Sequence, residues 1–232
     1  MKYLIRLLSV MVVFTSCEST PDGFEPLFNG ENLTGWHSFG GLDHYNGWIV
    51  SDGILTYDPE QRIESVSTSL VSDEQFTDFE LSLDWKIGVM GNSGVMWGVI
   101  DDGSFDKPYK TGPEIQLLDD TWEDYVTQRG DLNRAGALYN LMAPSSIVAK
   151  GPGAWNHYLL HIDQTNHEGF LEFNGVRVLE FELNNENWEA LIAASAFNEW
   201  PGFGSYKTGH IALQEHGSTI SFKNIYIKRL NP

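Results

Sequence analysis

The sequence predicts an all-β protein, an antiparallel β-sandwich with one short helix. Three observations indicate this class. The 232 residues include 13 Phe, 8 Trp, 9 Tyr and 23 Gly, a composition that favours strands joined by tight turns. From Phe24 onward, short alternating segments are separated by Gly, Asn, Asp and Pro, the usual signature of a sandwich or barrel. Asp52-Gly53 and Asn174-Gly175 are strong hairpin turns. We therefore expect residues 24–232 to form one jelly roll.

The N-terminal residues predict an export signal. Lys2 and Arg6 accompany an apolar run that is too short to span a bilayer. The only cysteine, Cys17, follows that run directly, which is typical of a bacterial lipoprotein with lipid added to the thiol. We expect residues 1–16 to be the signal peptide and residues 17–23 a tether. The protein would then be anchored in the envelope of a Gram-negative bacterium, in the periplasm or at the cell surface. An ordinary signal peptide with an incidental cysteine is the alternative.

Alternation with a period of two residues places the strands. It is clearest over residues 79–87, where apolar and polar side chains alternate without a break. A second period, near 3.6, predicts a helix over 186–195 with Asn184 or Asn185 as the N-cap. Residues 119–136 and 196–208 are expected to be long functional loops. The predicted strands are a hairpin over 48–57 and segments 79–87, 94–100, 114–118, 137–141, 155–163, 169–173, 176–183, 209–214 and 220–228.

Charge and motifs exclude several function classes. The chain has 32 acidic and 14 basic residues, a net charge of -18, so nucleic acids and anionic lipid surfaces are poor partners. A single cysteine excludes a disulfide framework and a cysteine-based zinc site. The motifs of serine hydrolases, kinases, dehydrogenases and metalloproteases do not occur. Residues 101–106 resemble a calcium loop, but the glycine comes early and no closing glutamate follows, so we interpret them as a solvated turn.

Polar side chains share one face on several predicted strands. Glu114 and Gln116 lie opposite apolar neighbours, as do Gln214 and His216, and Lys86 lies on the polar side of residues 79–87. We expect Lys86, Glu114, Gln116 and His216 to meet in one concave cleft. The alternative is that each row is only the solvated face of a sandwich.

Two tryptophans are candidates for contact with a flat ligand. Trp97 lies between Gly94 and Gly98 on its strand, which leaves room for a sugar ring, although a core position beside a bend is equally compatible. Trp200 begins a loop, Trp-Pro-Gly-Phe-Gly, that is a candidate lid or sugar wall.

Several segments, in their order and spacing, resemble the 3-keto-disaccharide hydrolase domain family over residues 24–230. The segments are LFNGENLTGW (27–36), NSGV (92–95), GPEIQLLD (112–119), RAGALY (134–139), WN (155–156), GHIALQEHG (209–217) and FKNIYI (222–227). The resemblance implies a concanavalin A-like jelly roll, an exported lipoprotein and cleavage of glycosides oxidised at C3. Ala137 and Asn140 stand where many members carry acids, and Leu171-Glu172-Phe173 where many carry a histidine.

The resemblance also implies a chemistry. A ketone at C3 acidifies the C2 proton, so a base can form an enolate from which the C1 substituent leaves, and water can then add. Such a site needs a base, a cation or donor at the C3 oxygen, and an acid. The base would be His216 or Glu114, with Lys86 at the enolate oxygen and Tyr139 as acid or donor. A divalent metal held by Glu114 and His216 is the alternative to Lys86. Hydroxyl groups of the sugar would be oriented by Gln116, Asn156 and Gln214.

Two other functions compete with this one. A non-catalytic carbohydrate-binding lipoprotein would use the same fold and the same tryptophans. An ordinary retaining glycosidase would need two facing carboxylates about 5 Å apart, but Gln116 stands where the second acid of the central strand would be.

Overall fold

The computed structural model describes residues 20–42, 44–63 and 68–231. The predicted signal peptide and Cys17 lie outside these residues. No helix in the described part of the chain has the length and apolar character needed to cross a bilayer.

Thirteen strands and two α-helices make up the described structure. The strands are β1 (Glu25–Pro26), β2 (Trp36–Ser38), β3 (Trp48–Ser51), β4 (Ile54–Tyr57), β5 (Leu70–Phe76), β6 (Phe79–Ile87), β7 (Asn92–Val99), β8 (Glu114–Leu118), β9 (Asn156–Asp163), β10 (Glu168–Phe173), β11 (Val176–Glu182), β12 (Gly209–Leu213) and β13 (Ile220–Arg229). The helices are α1 (Glu123–Arg129) and α2 (Glu186–Ala193).

These strands form two antiparallel sheets. The larger sheet has the order β11-β10-β9-β6-β13-β4-β3, with β1 added on β13, and the smaller has the order β2-β5-β12-β7-β8. Strands that are distant in sequence are neighbours in both sheets, as a jelly roll requires. The all-β sandwich predicted from the sequence is therefore confirmed.

The core lies between the sheets and explains the alternation. On β6, Phe79, Leu81, Leu83, Trp85 and Ile87 are at most 2% exposed, because their side chains point toward the smaller sheet while their neighbours point outward. The smaller sheet contributes apolar residues of β7, β8 and β12 to the same core, among them Val95, Ile115 and Leu213. Each sheet is thus left with an outer face, and both outer faces carry polar residues.

The two hairpin turns and the N-cap of α2 have the backbone geometry that the sequence predicts. Asp52 and Gly53 have φ angles of 53° and 77°, and Asn174 and Gly175 of 50° and 80°. Two consecutive residues with positive φ form the hairpin turn whose twist suits antiparallel strands. Helix α2 begins after Asn185, whose side chain accepts a hydrogen bond from the Trp188 amide at 3.0 Å, so this N-cap is also confirmed.

Two expectations for residues 119–141 are wrong. Residues 137–141 are not a strand: Leu138 makes only isolated bridges, to Ile115 and Met142. The chain runs beside β8 for a short stretch and turns away at Asn140, which has a φ of 56°. The preceding loop contains α1, whose N-cap position is Trp122 and has no side-chain cap. The strongest start signal, a capping side chain, is therefore missing, and only the acidic first turn and Gly130 after the last turn point to this helix.

Candidate active site

A cavity of about 360 Å³ lies on the outer face of the smaller sheet. Its floor is formed by the ends of β7, β8 and β12, and its walls come from residues 109–112, Tyr139 and the 197–203 loop. The lining residues are Asn92, Tyr109, Lys110, Gly112, Glu114, Gln116, Tyr139, Phe197, Trp200, Phe203, Gln214 and His216.

Glu114 is the buried carboxyl group of the cavity. It is 8% exposed, and none of the described residues donates a hydrogen bond to its carboxylate or forms an ion pair with it. Burial without compensation raises the pKa of Glu114 from 4.5 to about 8. A buried carboxyl group with a strongly raised pKa, placed in a cavity, is a candidate for proton transfer.

A glycine on the neighbouring strand makes room for this carboxyl group. Gly94 lies on β7 beside β8, and a Cβ atom at this position would lie 1.8 Å from the Glu114 Oε1 atom. The Glu114 side chain therefore lies across the bare backbone of β7. Any side chain at position 94 would compete with it for the same volume.

The polar floor next to Glu114 is held by hydrogen bonds. Gln116 donates from Nε2 to the Asn92 side chain at 2.7 Å, and the Gln116 carbonyl accepts from the Tyr158 hydroxyl at 2.8 Å. The Gln214 amide donates to the Gly94 carbonyl at 2.8 Å, which extends the β12–β7 pairing by one residue. The Gln116 side-chain amide is thus held at the base of the cavity, and the backbone at Gln214 is held beside it.

Two tyrosines face the same space. The Tyr139 amide donates to the Glu114 carbonyl at 2.9 Å, which fixes Tyr139 beside the carboxyl group. Burial, with the nearby Tyr125 and Glu114, raises the pKa of Tyr139 to about 12. Burial, with Asp106 and Glu114, also raises the pKa of Tyr109. Both phenols therefore keep their protons at ordinary pH and can donate hydrogen bonds.

An aromatic wall closes the side of the cavity opposite the sheet. The Phe197 ring centroid lies 5.0 Å from that of Trp200 and 4.2 Å from that of Phe203. Lys110 places its Nζ atom 4.1 Å from the Trp200 ring centroid. A tryptophan with a cation over one face combines a flat apolar ring with a positive charge held against it.

The loop that carries this wall is tied down on two sides. The Gly204 amide donates to the Thr111 carbonyl at 2.8 Å, and the Trp188 indole donates to the Gly204 carbonyl at 2.9 Å. A Cβ atom at Gly204 would lie 2.9 Å from the Trp188 ring. Helix α2 therefore holds in place the loop that carries the aromatic wall.

His216 lies at the mouth of the cavity. It is exposed and follows the end of β12 by three residues. The turn that carries it is fixed by Glu215, which is 3% exposed and accepts from the Gly217 amide at 3.2 Å. The histidine is thus presented on a held turn, and no residue of the described part of the chain forms a hydrogen bond or ion pair with its ring.

The structure brings together six of the predicted site residues and separates three. Glu114, Gln116, Tyr139, Trp200, Gln214 and His216 line the cavity. The expectation that Lys86 shares the cleft is wrong, because β6 belongs to the larger sheet and the Lys86 Nζ atom lies 4.9 Å from the Trp155 ring centroid. Alternation gives the polar side of a strand but does not tell which of the two outer faces it joins.

Trp97 and Asn156 also lie elsewhere. Trp97 is 3% exposed and stacks on Phe181 at 5.9 Å between the sheets, which makes it a core residue. Asn156 accepts a hydrogen bond from the Lys150 amide and another from the Asn174 side chain, both at 2.9 Å. These hydrogen bonds occupy the oxygen of a side chain that is 1% exposed. The predicted contact between Asn156 and the substrate is therefore wrong.

Sequence reasoning gave no individual role to six lining residues, of which Phe203 belongs to the predicted lid loop: Asn92, Tyr109, Lys110, Gly112, Phe197 and Phe203. Asn92 stood in a recognised segment but was given no role. Tyr109 and Lys110 lie in a short 3₁₀ turn, Pro108–Lys110, that has no alternation from which a face can be inferred. The positions at which the chain departs from many family members are structural here: Ala137 and Leu171 are fully buried, and Asn140 accepts from the Asn133 side chain at 2.6 Å.

Glu114 and His216 were the predicted pair of metal ligands. Both line the cavity, but within residues 20–42, 44–63 and 68–231 no group of three or more His, Cys, Asp or Glu side chains is placed to hold a metal ion.

Comparison with known proteins shows the family. Residues 23–228 match the family of 3-keto-alpha-glucoside-1,2-lyase-like domains, and the chain belongs to this family. A relative from Bacteroides thetaiotaomicron, named 3-keto-disaccharide hydrolase, is 27% identical, and the match covers 90% of this chain and 79% of the relative. The family match supports a carbohydrate-active hydrolase.

Solved structures agree with this assignment. A protein from Parabacteroides distasonis, provisionally named a glycosyl hydrolase, is 32% identical with a TM-score of 0.80, and the match covers 90% of this chain and 94% of that one. A Bacillus subtilis protein with a galectin-like fold is 11% identical with a TM-score of 0.56, over 89% of this chain and 94% of that one. The second likeness concerns the fold alone.

Proposed function

We propose that this chain cleaves 3-keto-glycosides by removing the C2 proton and eliminating the C1 substituent. The C2–H bond breaks and its proton passes to a base, while the C3 ketone takes up the electron pair as an enolate. The C1–O bond then breaks, its electron pair leaves with the oxygen, and an acid protonates that oxygen. Addition of water across C1 and C2 gives the free 3-keto sugar and completes a net hydrolysis.

The buried, unpartnered Glu114 is the observation that carries this proposal. A carbon-bound proton next to a ketone is weakly acidic, so its removal benefits from a base stronger than an ordinary carboxylate. A carboxyl group with a pKa of about 8 is such a base once it is ionised. Because no described residue competes for its oxygens, the carboxylate is available to the C2 proton. We therefore assign the base to Glu114 rather than to His216.

The other roles follow from position. Lys110 replaces Lys86 as the cation that faces the C3 oxygen, since it lines the cavity and lies over Trp200. Tyr139 remains protonated and adjoins Glu114, which suits a hydrogen bond to the developing enolate. His216 lies at the mouth, where a leaving group would depart, and histidine readily donates and accepts protons near neutral pH. Gln116 and Gln214 would orient the hydroxyl groups of the ring.

An ordinary retaining mechanism has less support in this cavity. Glu114 is the one carboxylate among the described lining residues, whereas a retaining glycosidase places two carboxylates about 5 Å apart. The non-catalytic alternative differs from the proposal by its outcome: it predicts binding of oxidised and unoxidised sugars without cleavage of either.

A substrate carrying deuterium at C2 tests the proposed step. Cleavage by C2 deprotonation transfers that deuterium to solvent and shows a primary isotope effect on kcat. Ordinary glycoside hydrolysis would retain the label in the product. Product analysis by NMR distinguishes the two, and a chelator added in parallel shows whether a divalent metal contributes.

We also propose that Cys17 carries a lipid anchor in the bacterial envelope. The support is its position directly after a short apolar run. Cys17→Ser should move the protein from the membrane fraction to the soluble fraction, and unchanged fractionation would rule out the anchor.

A further inference from the structure

The Asn92 side chain is held on the floor of the cavity with its amide nitrogen unused. It is 7% exposed and lines the cavity. Its Oδ1 atom accepts a hydrogen bond from Gln116 Nε2 at 2.7 Å, which orients the amide so that Nδ2 remains as the donor. No group within residues 20–42, 44–63 and 68–231 accepts from Nδ2, and Nδ2 is not among the polar atoms that are sealed off without a partner. A fixed donor therefore reaches the open space of the cavity.

The backbone of Asn92 is locked by a single side chain. The Asn92 amide donates to the Ser218 hydroxyl at 2.9 Å, and the Asn92 carbonyl accepts from the same hydroxyl at 3.0 Å. Asn92 also begins β7, where it pairs with Leu118 of β8. The donor is thus preorganised. A preorganised donor stabilises a developing negative charge without any cost of reorientation during the reaction.

The floor of the cavity follows β7 from Met96 to Asn92. A Cβ atom at Gly112 would lie 3.2 Å from the Met96 Cβ atom, so the wall segment that ends at Gly112 adjoins the Met96 end. The Glu114 side chain lies over Gly94 in the middle of the floor. Asn92 is two residues from Gly94 on the same face of the strand, a step of about 7 Å. The wall segment, the carboxyl group and the Asn92 amide therefore follow one another along the strand.

We propose that Asn92 is a catalytic residue that donates a hydrogen bond from Nδ2 to the C1 oxygen as this oxygen leaves the sugar. The inference rests on the proposed function, which assigns Lys110 to the C3 oxygen and Glu114 to the C2 proton. Lys110 belongs to the wall segment at the Met96 end, and Glu114 to the middle of the floor. A ring that meets both groups in this order continues with C1 toward Asn92.

This hydrogen bond stabilises charge without transferring a proton. When the C1–O bond breaks, its electron pair stays on the leaving oxygen, and Asn92 keeps both of its amide protons. The proton that completes the leaving group comes from the acid, for which His216 is the candidate, and both residues line the cavity. A side-chain amide is a neutral donor at every ordinary pH. The contribution of Asn92 should therefore not change with pH, unlike that of His216.

Two leaving groups of different strength test this role. Asn92→Ala should lower kcat/KM for a methyl 3-keto-glucoside by on the order of a hundredfold, the usual loss for one oxyanion donor. It should have little effect on the nitrophenyl 3-keto-glucoside, because nitrophenolate is a stable anion without a donor. Asn92→Asp keeps the acceptor for Gln116, removes the donor and should show the same difference between the two substrates.

A matched control separates this role from a structural one. Asn166→Ala removes an asparagine from the exposed turn between β9 and β10, where its side chain donates to Asp163 at 2.7 Å. This variant should leave both values of kcat/KM unchanged. A loss of the same size for both substrates in the Asn92 variants, or no loss for either, would overturn the assignment.

Binding distinguishes this inference from the proposed function. In the Glu114→Gln background, calorimetry measures the Kd of the methyl 3-keto-glucoside and of its 1-deoxy analogue, which lacks the C1 oxygen. Asn92→Ala should weaken binding of the methyl glucoside by roughly tenfold and leave that of the analogue unchanged. If the wild-type protein cleaves neither glucoside but this difference in Kd is found, the proposed function fails and the contact with the C1 oxygen stands. If Asn92→Ala weakens both ligands equally, or neither, the contact is refuted.

Discussion

Replacing Glu114 with glutamine should make the protein more stable at alkaline pH. The carboxyl group is buried without a partner, and its pKa is about 8 in the folded chain against an ordinary value of 4.5. Between these two values the folded state holds a proton that the unfolded state has released. The free energy of unfolding of the wild type must therefore fall as pH rises through this window.

The size of the effect follows from the two pKa values. One pH unit within the window corresponds to about 1.4 kcal/mol. The free energy of unfolding of the wild type should fall by about 3 kcal/mol between pH 4.5 and 7. The total decrease should reach about 5 kcal/mol once the pH exceeds 8, with little further change above that. The glutamine variant has no proton to lose at this position. Its stability relative to the wild type should increase across the same window.

Urea unfolding of both proteins at pH 5, 6, 7 and 8.5 measures this difference. Glu189→Gln, at an exposed position of α2, provides a control that should follow the wild type at every pH. A stability difference between Glu114→Gln and the wild type that does not change with pH would refute the account, since the buried group would then not carry a raised pKa.

Three further predictions concern turnover of a 3-keto-glycoside. The wild-type kcat/KM should rise with pH through an apparent pKa of about 8, because the base must be ionised, and a profile that falls with pH in this range would contradict the assignment. Gly94→Ala should lower kcat by on the order of a hundredfold, because the new Cβ displaces the Glu114 carboxylate. Gly151→Ala is the control, since a Cβ atom at this position meets no atom within 4 Å. Equal activity of the two variants would contradict the account. Lys110→Met should lower kcat/KM by roughly tenfold or more while Lys86→Met does not. If only Lys86→Met lowers kcat/KM, the cation at the C3 oxygen is Lys86 and not Lys110.

The sequence predicted the floor of the site because strands have a fixed period. Glu114 and Gln116 alternate with Ile115 and Leu117, so their common side was known from spacing alone. The structure confirms it, because the apolar pair packs in the core while the polar pair lines the cavity. The same argument failed for Lys86. A sandwich has two outer faces with the same pattern, and the assignment of a strand to a sheet depends on pairing between residues distant in sequence, which alternation does not contain.

The residues that form the walls of the site are harder to predict from the sequence than those of the floor. Tyr109 and Lys110 reach the cavity from a 3₁₀ turn, and Phe197 from a loop supported by α2, so tertiary contacts alone place them. The raised pKa of Glu114 also has a tertiary cause, because it results from desolvation by burial in the folded chain. Trp97 was ambiguous for a related reason: a tryptophan between glycines suits both a sugar site and a packed core, and only the ring of Phe181 decides for the core.

The central claim is that a ketone at C3 is required for cleavage, because it alone makes the C2 proton removable by Glu114. The most direct measurement incubates the purified protein with a 3-keto-glucoside and, separately, with its unoxidised parent, and quantifies the released leaving group. We predict release from the oxidised substrate only, with that release strongly reduced in Glu114→Gln. Equal cleavage of the two substrates would contradict the mechanism.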